Sequence, residues 1–203
     1  MGSGFDAREP LKRGGFTISD YHPENRILTV PEVFMYSSNI GAALMGEMVG
    51  TKTLQNFYKD LGLLSPLELE VGEIGRPLFP KPWRDMNTLT ATFGHGIAVS
   101  PLQFVAAASS IVGGGTLIRP TLIMRDDGGK ISQKGPEVRI VSPQTSHRMR
   151  QLMRLVVADS EGTGKTADVP GYNVGGKTGT AEKTAERGGY DGRRQISSFM
   201  GFF

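Results

Sequence analysis

The run Gly175-Gly176-Lys177-Thr178-Gly179-Thr180-Ala181 holds the groups whose types and spacing most readily do chemistry. Along a strand the side chains alternate faces, so Lys177, Gly179 and Ala181 would point one way and Thr178 and Thr180 the other. A lysine on an edge strand, beside glycines that keep the surface low, makes a cationic wall where a substrate backbone could pair. The plainer reading is a glycine-rich strand end with a solvated lysine. A match to Lys-Thr-Gly-Thr arises by chance in about one chain in a thousand of this length, so the run gains its meaning from what accompanies it. Upstream stands Ser37-x-Asn39, which by itself reads as a helix cap. Gly162-Thr163-Gly164-Lys165-Thr166 lacks the full spacing of a phosphate loop and follows no clear strand. It reads instead as a mobile loop near the site. His22, His95 and His147 are dispersed without metal-ligand spacing. His95, between two glycines, is the one whose side chain could reach a cleft.

These groups need elements to hold them. Pro31 to Val49 reads as two helices joined at Ser37-Ser38-Asn39, residues that compete for backbone hydrogen bonds and favour turns and caps. Pro31 suits a first turn and Glu32 a helix N-terminus. Residues 51 to 61 predict a third helix closed by Gly62. Residues 65 to 96, with Pro77, Pro80 and Pro82, read as a long loop or irregular subdomain. Ser100-Pro101-Leu102-Gln103 is a capping box. The alanine-rich helix it opens, ending at Gly113-Gly114-Gly115, is expected to be central and buried. Leu117 to Met124 predicts a strand with a hairpin turn at Asp127-Gly128. A helix begins at Ser142-Pro143, its apolar stripe formed by Met149, Leu152, Met153 and Val156. Gly162 to Gly176 reads as loop, and Asn173 to Glu182 and Gln195 to Phe203 as two strands joined by a charged hairpin loop.

Composition bounds the function classes. With 38% hydrophobic and 21% charged residues among 203, the chain is an ordinary globular one rather than disordered. The net charge of +3 is carried by scattered Lys and Arg, which argues against a nucleic-acid partner. The absence of cysteine excludes disulfides, thiolate metal sites and a thiol nucleophile. It suits an oxidising compartment without deciding one. No apolar run approaches the roughly 18 residues of a membrane span. Met1-Gly2-Ser3-Gly4 reads as an added start, and the apolar run ending at Phe203 as a cut C-terminus.

Ser-x-Asn followed by Lys-Thr-Gly is the pairing of penicillin-recognising serine enzymes. Val33 to Ala43, the segment Thr92-Phe93-Gly94-His95-Gly96-Ile97-Ala98-Val99-Ser100-Pro101-Leu102-Gln103, and Gly175 to Glu182 together resemble class B penicillin-binding proteins, most of all the division type. Ser197 to Phe203 resembles the strand that follows the lysine motif. The resemblance implies an α+β fold of the penicillin-binding-protein transpeptidase and serine β-lactamase type. Over residues 5–203 that fold would be incomplete, a helical subdomain plus part of an antiparallel sheet. Strand edges left open would favour oligomerisation through residues 173–203.

The resemblance also implies a mechanism. A Ser-x-x-Lys serine attacks the D-Ala-D-Ala amide of a peptidoglycan stem peptide, and a second peptide's amine takes the acyl group. Ser37 and Asn39 would serve proton relay and substrate holding, with Lys177 supporting the relay or binding carboxylate. Thr178, Gly179 and Thr180 would bind substrate, with the Thr180 N–H at the oxyanion. Neither cofactor nor metal is implied. β-Lactams and other division proteins are the further partners, and the parent would sit in the inner membrane facing the periplasm. One departure matters: no serine here has a lysine three positions on. Losing an acylating serine costs on the order of 10⁶ in rate, so this chain is expected to be inactive by itself and to bind β-lactams non-covalently. A β-lactamase or β-lactam sensor of the same fold is the enzymatic alternative. A non-catalytic interaction module for division proteins is the other.

Overall fold

The computed structural model describes residues 4–123, 136–184 and 190–203. The chain forms two compact units, one of Met1–Met45 with Arg150–Phe203, the other of Gly46–Met149.

In the first unit, β1 (Gly4–Asp6) pairs antiparallel with β4 (Ile27–Thr29), placing Phe5 opposite Leu28, both buried. Between them β2 (Leu11–Arg13) and β3 (Phe16–Ile18) form a hairpin. Its two-residue turn, Gly14-Gly15, needs positive φ at both positions, and they stand at 54° and 82°. β4 leads straight into α1 (Val30–Met35). Glu32 reaches back over its first turn, accepting from the Thr29 N–H at 2.8 Å and the Thr29 hydroxyl at 2.7 Å. Those bonds, with the Arg26 guanidinium at 2.7 Å, hold its carboxyl down at about 2.

α2 (Asn39–Val49) follows, its residues from Gly46 on counted in the second unit, and α6 (Pro143–Ala158) belongs to the first unit from Arg150 on. Val33, Ile40 and Ala43 are buried, as are Met153, Val156 and Val157 of α6. A short 3-10 turn, Lys165–Ala167, precedes β5 (Gly175–Thr184), which pairs antiparallel with β6 (Tyr190–Phe202). The register runs from Gly175 opposite Phe202 to Glu182 opposite Gln195, with an irregularity between Glu182 and Lys183.

The second unit carries α3 (Thr51–Asp60), α4 (Asp85–Ala91) and α5 (Pro101–Val112). Residues 65–96, read as a long loop or irregular subdomain, are irregular apart from the seven residues of α4. α4 is short and follows two prolines; Leu89 and Ala91 are buried beside Thr88, and polar bonds tie the helix to its neighbours. Thr51 donates to Asp85 at 2.6 Å, Thr88 to Thr51 at 2.8 Å, and Trp83 Nε1 to Thr88 at 2.9 Å.

The capping box at Ser100 is half made. Ser100 Oγ accepts from the Gln103 N–H at 3.2 Å, but the buried Gln103 amide donates instead to the carbonyls of Gly62, at 2.6 Å, and Ser65, at 2.8 Å. α5 buries Ala106, Ala107, Ala108 and Ser110 and exposes Leu102, Phe104 and Val105, so it is buried on one face rather than central. The strand expected from Leu117 is also absent among the described residues. Thr116 makes a single bridge with Arg139. Beyond it the backbone finds other partners: Ile118 N–H donates to Ser110 Oγ at 2.8 Å, Pro120 has no N–H, and Leu122 N–H donates to Glu70 at 3.0 Å. Met124 and the Asp127-Gly128 turn lie outside the described residues.

Candidate active site

The junction between α1 and α2 is built by local hydrogen bonds. Tyr36 N–H bonds the Glu32 carbonyl at 2.9 Å and Ser38 N–H bonds the Val33 carbonyl at 3.0 Å. The second is the six-to-one bond of a helix ending in a left-handed residue. That residue is Ser37, at φ 59°, where glycine is the usual occupant and any other residue costs on the order of 1 kcal/mol or more. Ser38, buried, then caps α2, its Oγ accepting from Gly41 N–H at 2.9 Å and its carbonyl from Ala42 N–H at 3.0 Å.

Asp20 grips this turn from β3's exit. It accepts from Ser38 Oγ at 2.7 Å and from Ile40 N–H at 2.9 Å, while Asn39 Nδ2 donates to the Ser19 carbonyl at 3.0 Å. The cap therefore belongs to Ser38. Ser37 is left exposed on a backbone fixed from both sides.

β5 brings the lysine to it. Gly175 and Gly176 are buried beneath Phe202 and Phe199 of β6; a Cβ would stand 2.6 Å from Phe202 Cζ at the first and 2.8 Å from Phe199 Cε2 at the second. With the strand pressed this close, half-buried Lys177 directs Nζ to Ser37 Oγ at 2.6 Å, across 140 residues of sequence, and to the Thr178 carbonyl at 3.2 Å. Burial disfavours the ammonium and lowers its pKa from 10.5 to about 8. Thr178 Oγ1 donates to Thr163 Oγ1 at 3.0 Å. Gly179 and Thr180 lie exposed on β5 opposite Ser198 and Ser197, with Ser198 Oγ donating to the Gly179 carbonyl at 3.3 Å.

All six residues singled out in the sequence thus fall within one unit, and Ser37 meets Lys177 directly. His95 lies in the second unit, in the turn after α4, its N–H bonded to the Thr90 carbonyl at 3.0 Å. Among the described residues no group of three or more His, Asp or Glu side chains is placed to hold a metal ion. The sequence reading missed Asp20, which carries no motif. The run 162–166, read as a loop near the site, forms a turn beside Thr178 in which Gly162 and Gly164 donate to the Asp159 and Val156 carbonyls at 3.0 and 2.9 Å. The closely spaced glycines were the available signal.

A Ser-x-Asn turn between two helices, facing the lysine of Lys-Thr-Gly-Thr on an antiparallel strand, defines the class of penicillin-recognising proteins. The chain matches the penicillin binding protein transpeptidase domain over residues 4–203 and belongs to that family. It is 43% identical to the "Probable peptidoglycan D,D-transpeptidase FtsI" of Caulobacter vibrioides, across 99% of this chain and 34% of that protein. To the Stage V sporulation protein D of Bacillus subtilis it is 37% identical, across 94% of this chain and 29% of that protein. The chain spans about a third of the length of these curated relatives.

Among solved structures, the apo transpeptidase domain of Burkholderia pseudomallei penicillin-binding protein 3 superposes with a TM-score of 0.84 at 33% identity, covering 98% of this chain and 57% of that one. Penicillin-binding protein 3 of Mycobacterium tuberculosis, in structures with aztreonam and with ampicillin, gives a TM-score of 0.84 at 26% identity, over 99% of this chain and 47% of the other. The helices with small antiparallel sheets seen here are thus part of the transpeptidase fold.

Proposed function

We propose that this chain supplies two arms of a serine-type peptidoglycan D,D-transpeptidase, the Ser-x-Asn turn and the Lys-Thr-Gly-Thr strand. The observation that carries the reading is the 2.6 Å contact between Lys177 Nζ and Ser37 Oγ. A lysine brought to about 8 can hold or release a proton near neutral pH, and a hydroxyl at that distance can pass it on. In the reaction, a Ser-x-x-Lys serine would form the acyl-enzyme with a stem peptide, with Ser37 and Lys177 moving the proton between nucleophile and leaving amine. Asn39, whose amide nitrogen is tied to Ser19, would offer its oxygen to a substrate N–H. Lys177 and Thr178 would face the terminal carboxylate. Gly179 and Thr180 would pair with the peptide backbone, the Thr180 N–H serving the oxyanion.

Stem peptides and β-lactams are the ligands this chemistry fits, the latter because they mimic the scissile amide and become trapped as acyl-enzymes. Peptidoglycan lies outside the cytoplasmic membrane, so the working site would face the periplasm. Among the described residues no helix is long and apolar enough to cross a membrane.

Intact-mass measurement after incubation with a reactive β-lactam tests the reading, beside circular dichroism as a check of folding. The 203-residue chain, which has no Ser-x-x-Lys, gains no mass. A version of the protein that includes that motif gains one adduct, and Ser37→Ala or Lys177→Ala slows its formation on the order of 100-fold or more. A stoichiometric adduct on the 203-residue chain would make Ser37 or another residue here the nucleophile and overturn the assignment.

A further inference from the structure

We infer that Thr163 is a positioning residue of this site, one that sets the direction in which the Thr178 hydroxyl donates. The inference rests on reading Lys177 and Thr178 as the carboxylate end of the stem-peptide site, and it adds a residue outside both motifs.

The Gly-Thr-Gly turn is placed by packing. A Cβ on Gly162 would lie 2.9 Å from the Val156 carbonyl carbon, and one on Gly164 would lie 3.3 Å from Phe199 Cε2 and from Val156 Cγ1. A Cβ at 162 would collide with the end of α6 and one at 164 would be tight against α6 and β6, so glycines let the turn sit this close, and Thr163 is the one side chain of the triplet. Its hydroxyl links the two arms. Thr163 Oγ1 receives the Thr178 hydroxyl proton at 3.0 Å and donates its own to the Met35 carbonyl at 3.4 Å. Met35 is the last residue of α1, two before Ser37. The same carbonyl also receives the Thr163 N–H at 3.4 Å. A second tie joins the same segments: Tyr36 Oη donates to Glu161 at 2.9 Å.

In this arrangement the Thr178 proton points at Thr163, and a carboxylate arriving at Thr178 would meet an oxygen lone pair. The chain of hydroxyls can run the other way. Thr163 rotates its O–H from Met35 to Thr178, and Thr178 rotates its own to the carboxylate. The Met35 carbonyl keeps the Thr163 N–H, so that acceptor still has a donor, and no proton changes owner. Two hydroxyls in series polarise each other, which strengthens the terminal bond to an anion. A valine at 163 has the same shape and can neither accept nor donate.

The test is nuclear magnetic resonance on the 203-residue chain titrated with N-acetyl-D-alanyl-D-alanine and with its C-terminal amide. Thr163→Val and Thr163→Ser are compared with the parent, and amide dispersion checks folding. Thr163→Val is expected to weaken the carboxylate peptide on the order of tenfold while Thr163→Ser stays within about twofold, and the amide peptide should not distinguish them. Equal affinity of parent and Thr163→Val for the carboxylate peptide overturns the inference. Should the parent bind neither peptide, the stem-peptide reading falls, and the χ1 population of Thr178 then decides for Thr163 alone. A rotamer shift in Thr163→Val restored by Thr163→Ser upholds its positioning role, and an unchanged rotamer removes it.

Discussion

Lys177 should titrate near pH 8, and its proton should be measurable in two independent ways. Burial takes the group from 10.5 to about 8. At pH 7 about a tenth of the molecules would then carry a neutral amine, on the order of several hundred-fold more than for a free lysine. The folded state gives up this proton at lower pH than the unfolded chain, so between about 8 and 10.5 the unfolded chain binds more protons. Stability from this group therefore rises with pH across that window, and the penalty for confining the ammonium is complete below 8. At 1.36 kcal/mol per pH unit the penalty has a ceiling of about 3 kcal/mol, which solvent at the half-open rim reduces to about 1–2 kcal/mol.

Lys177→Met keeps the stem and removes the charge. It should leave the protein at least as stable as the parent at pH 7, with the advantage fading as pH approaches 10.5. Lysine-labelled carbon–nitrogen resonance spectroscopy reads the pKa directly, and urea denaturation at pH 7 and at pH 10 reads the linkage. A titration midpoint near 10.5, or Lys177→Met destabilising by more than about 2 kcal/mol at pH 7, would refute burial as the controlling influence.

Glu32→Gln should cost about 1 kcal/mol at pH 7 through loss of the charged reach-back to Thr29. Because the Glu32 carboxyl is depressed from 4.5 to about 2, its contribution stands above 4.5 and disappears as pH falls through 2, so parent and variant should converge in acid unfolding. Gly176→Ala drives a methyl into the Phe199 ring and the Met200 carbonyl, and should cost about 1–3 kcal/mol in urea midpoint. Gln103→Leu leaves the Gly62 and Ser65 carbonyls without their donor, for about 2–3 kcal/mol by thermal or urea unfolding; Gln103→Glu should recover none of it.

What could be read from the sequence was what local chemistry dictates. Pro31 and Glu32 mark a helix start, Gly62 an end, and the alternation around Lys177 a strand, because each depends on residues within a few positions. Ser37 and Lys177 could be singled out by motif, but their meeting depends on a register set by Phe199 and Phe202 over two glycines, which no short window contains. α4 escaped because its seven residues bury only Leu89 and Ala91 among apolar side chains, too few to set a period, and threonines with Asp85 supply the rest of its ties. Leu117 to Ile123 has strand-like composition, yet a serine and a glutamate side chain take the backbone bonds a neighbouring strand would have supplied. The β1–β4 and β2–β3 pairs were unread because three-residue strands give too few alternations to register a pattern.

With Ser37 in the proton-relay role proposed for it, the left-handed turn there also sets stability and chemistry against each other at a single codon. Glycine is the residue that backbone prefers, and Ser37→Gly would relax the turn while deleting the oxygen that Lys177 touches. A library screened only for thermal resistance should therefore drift toward glycine at this position. A library screened for acylation of a protein that includes Ser-x-x-Lys should hold serine and regain stability elsewhere, at positions such as the exposed face of α5.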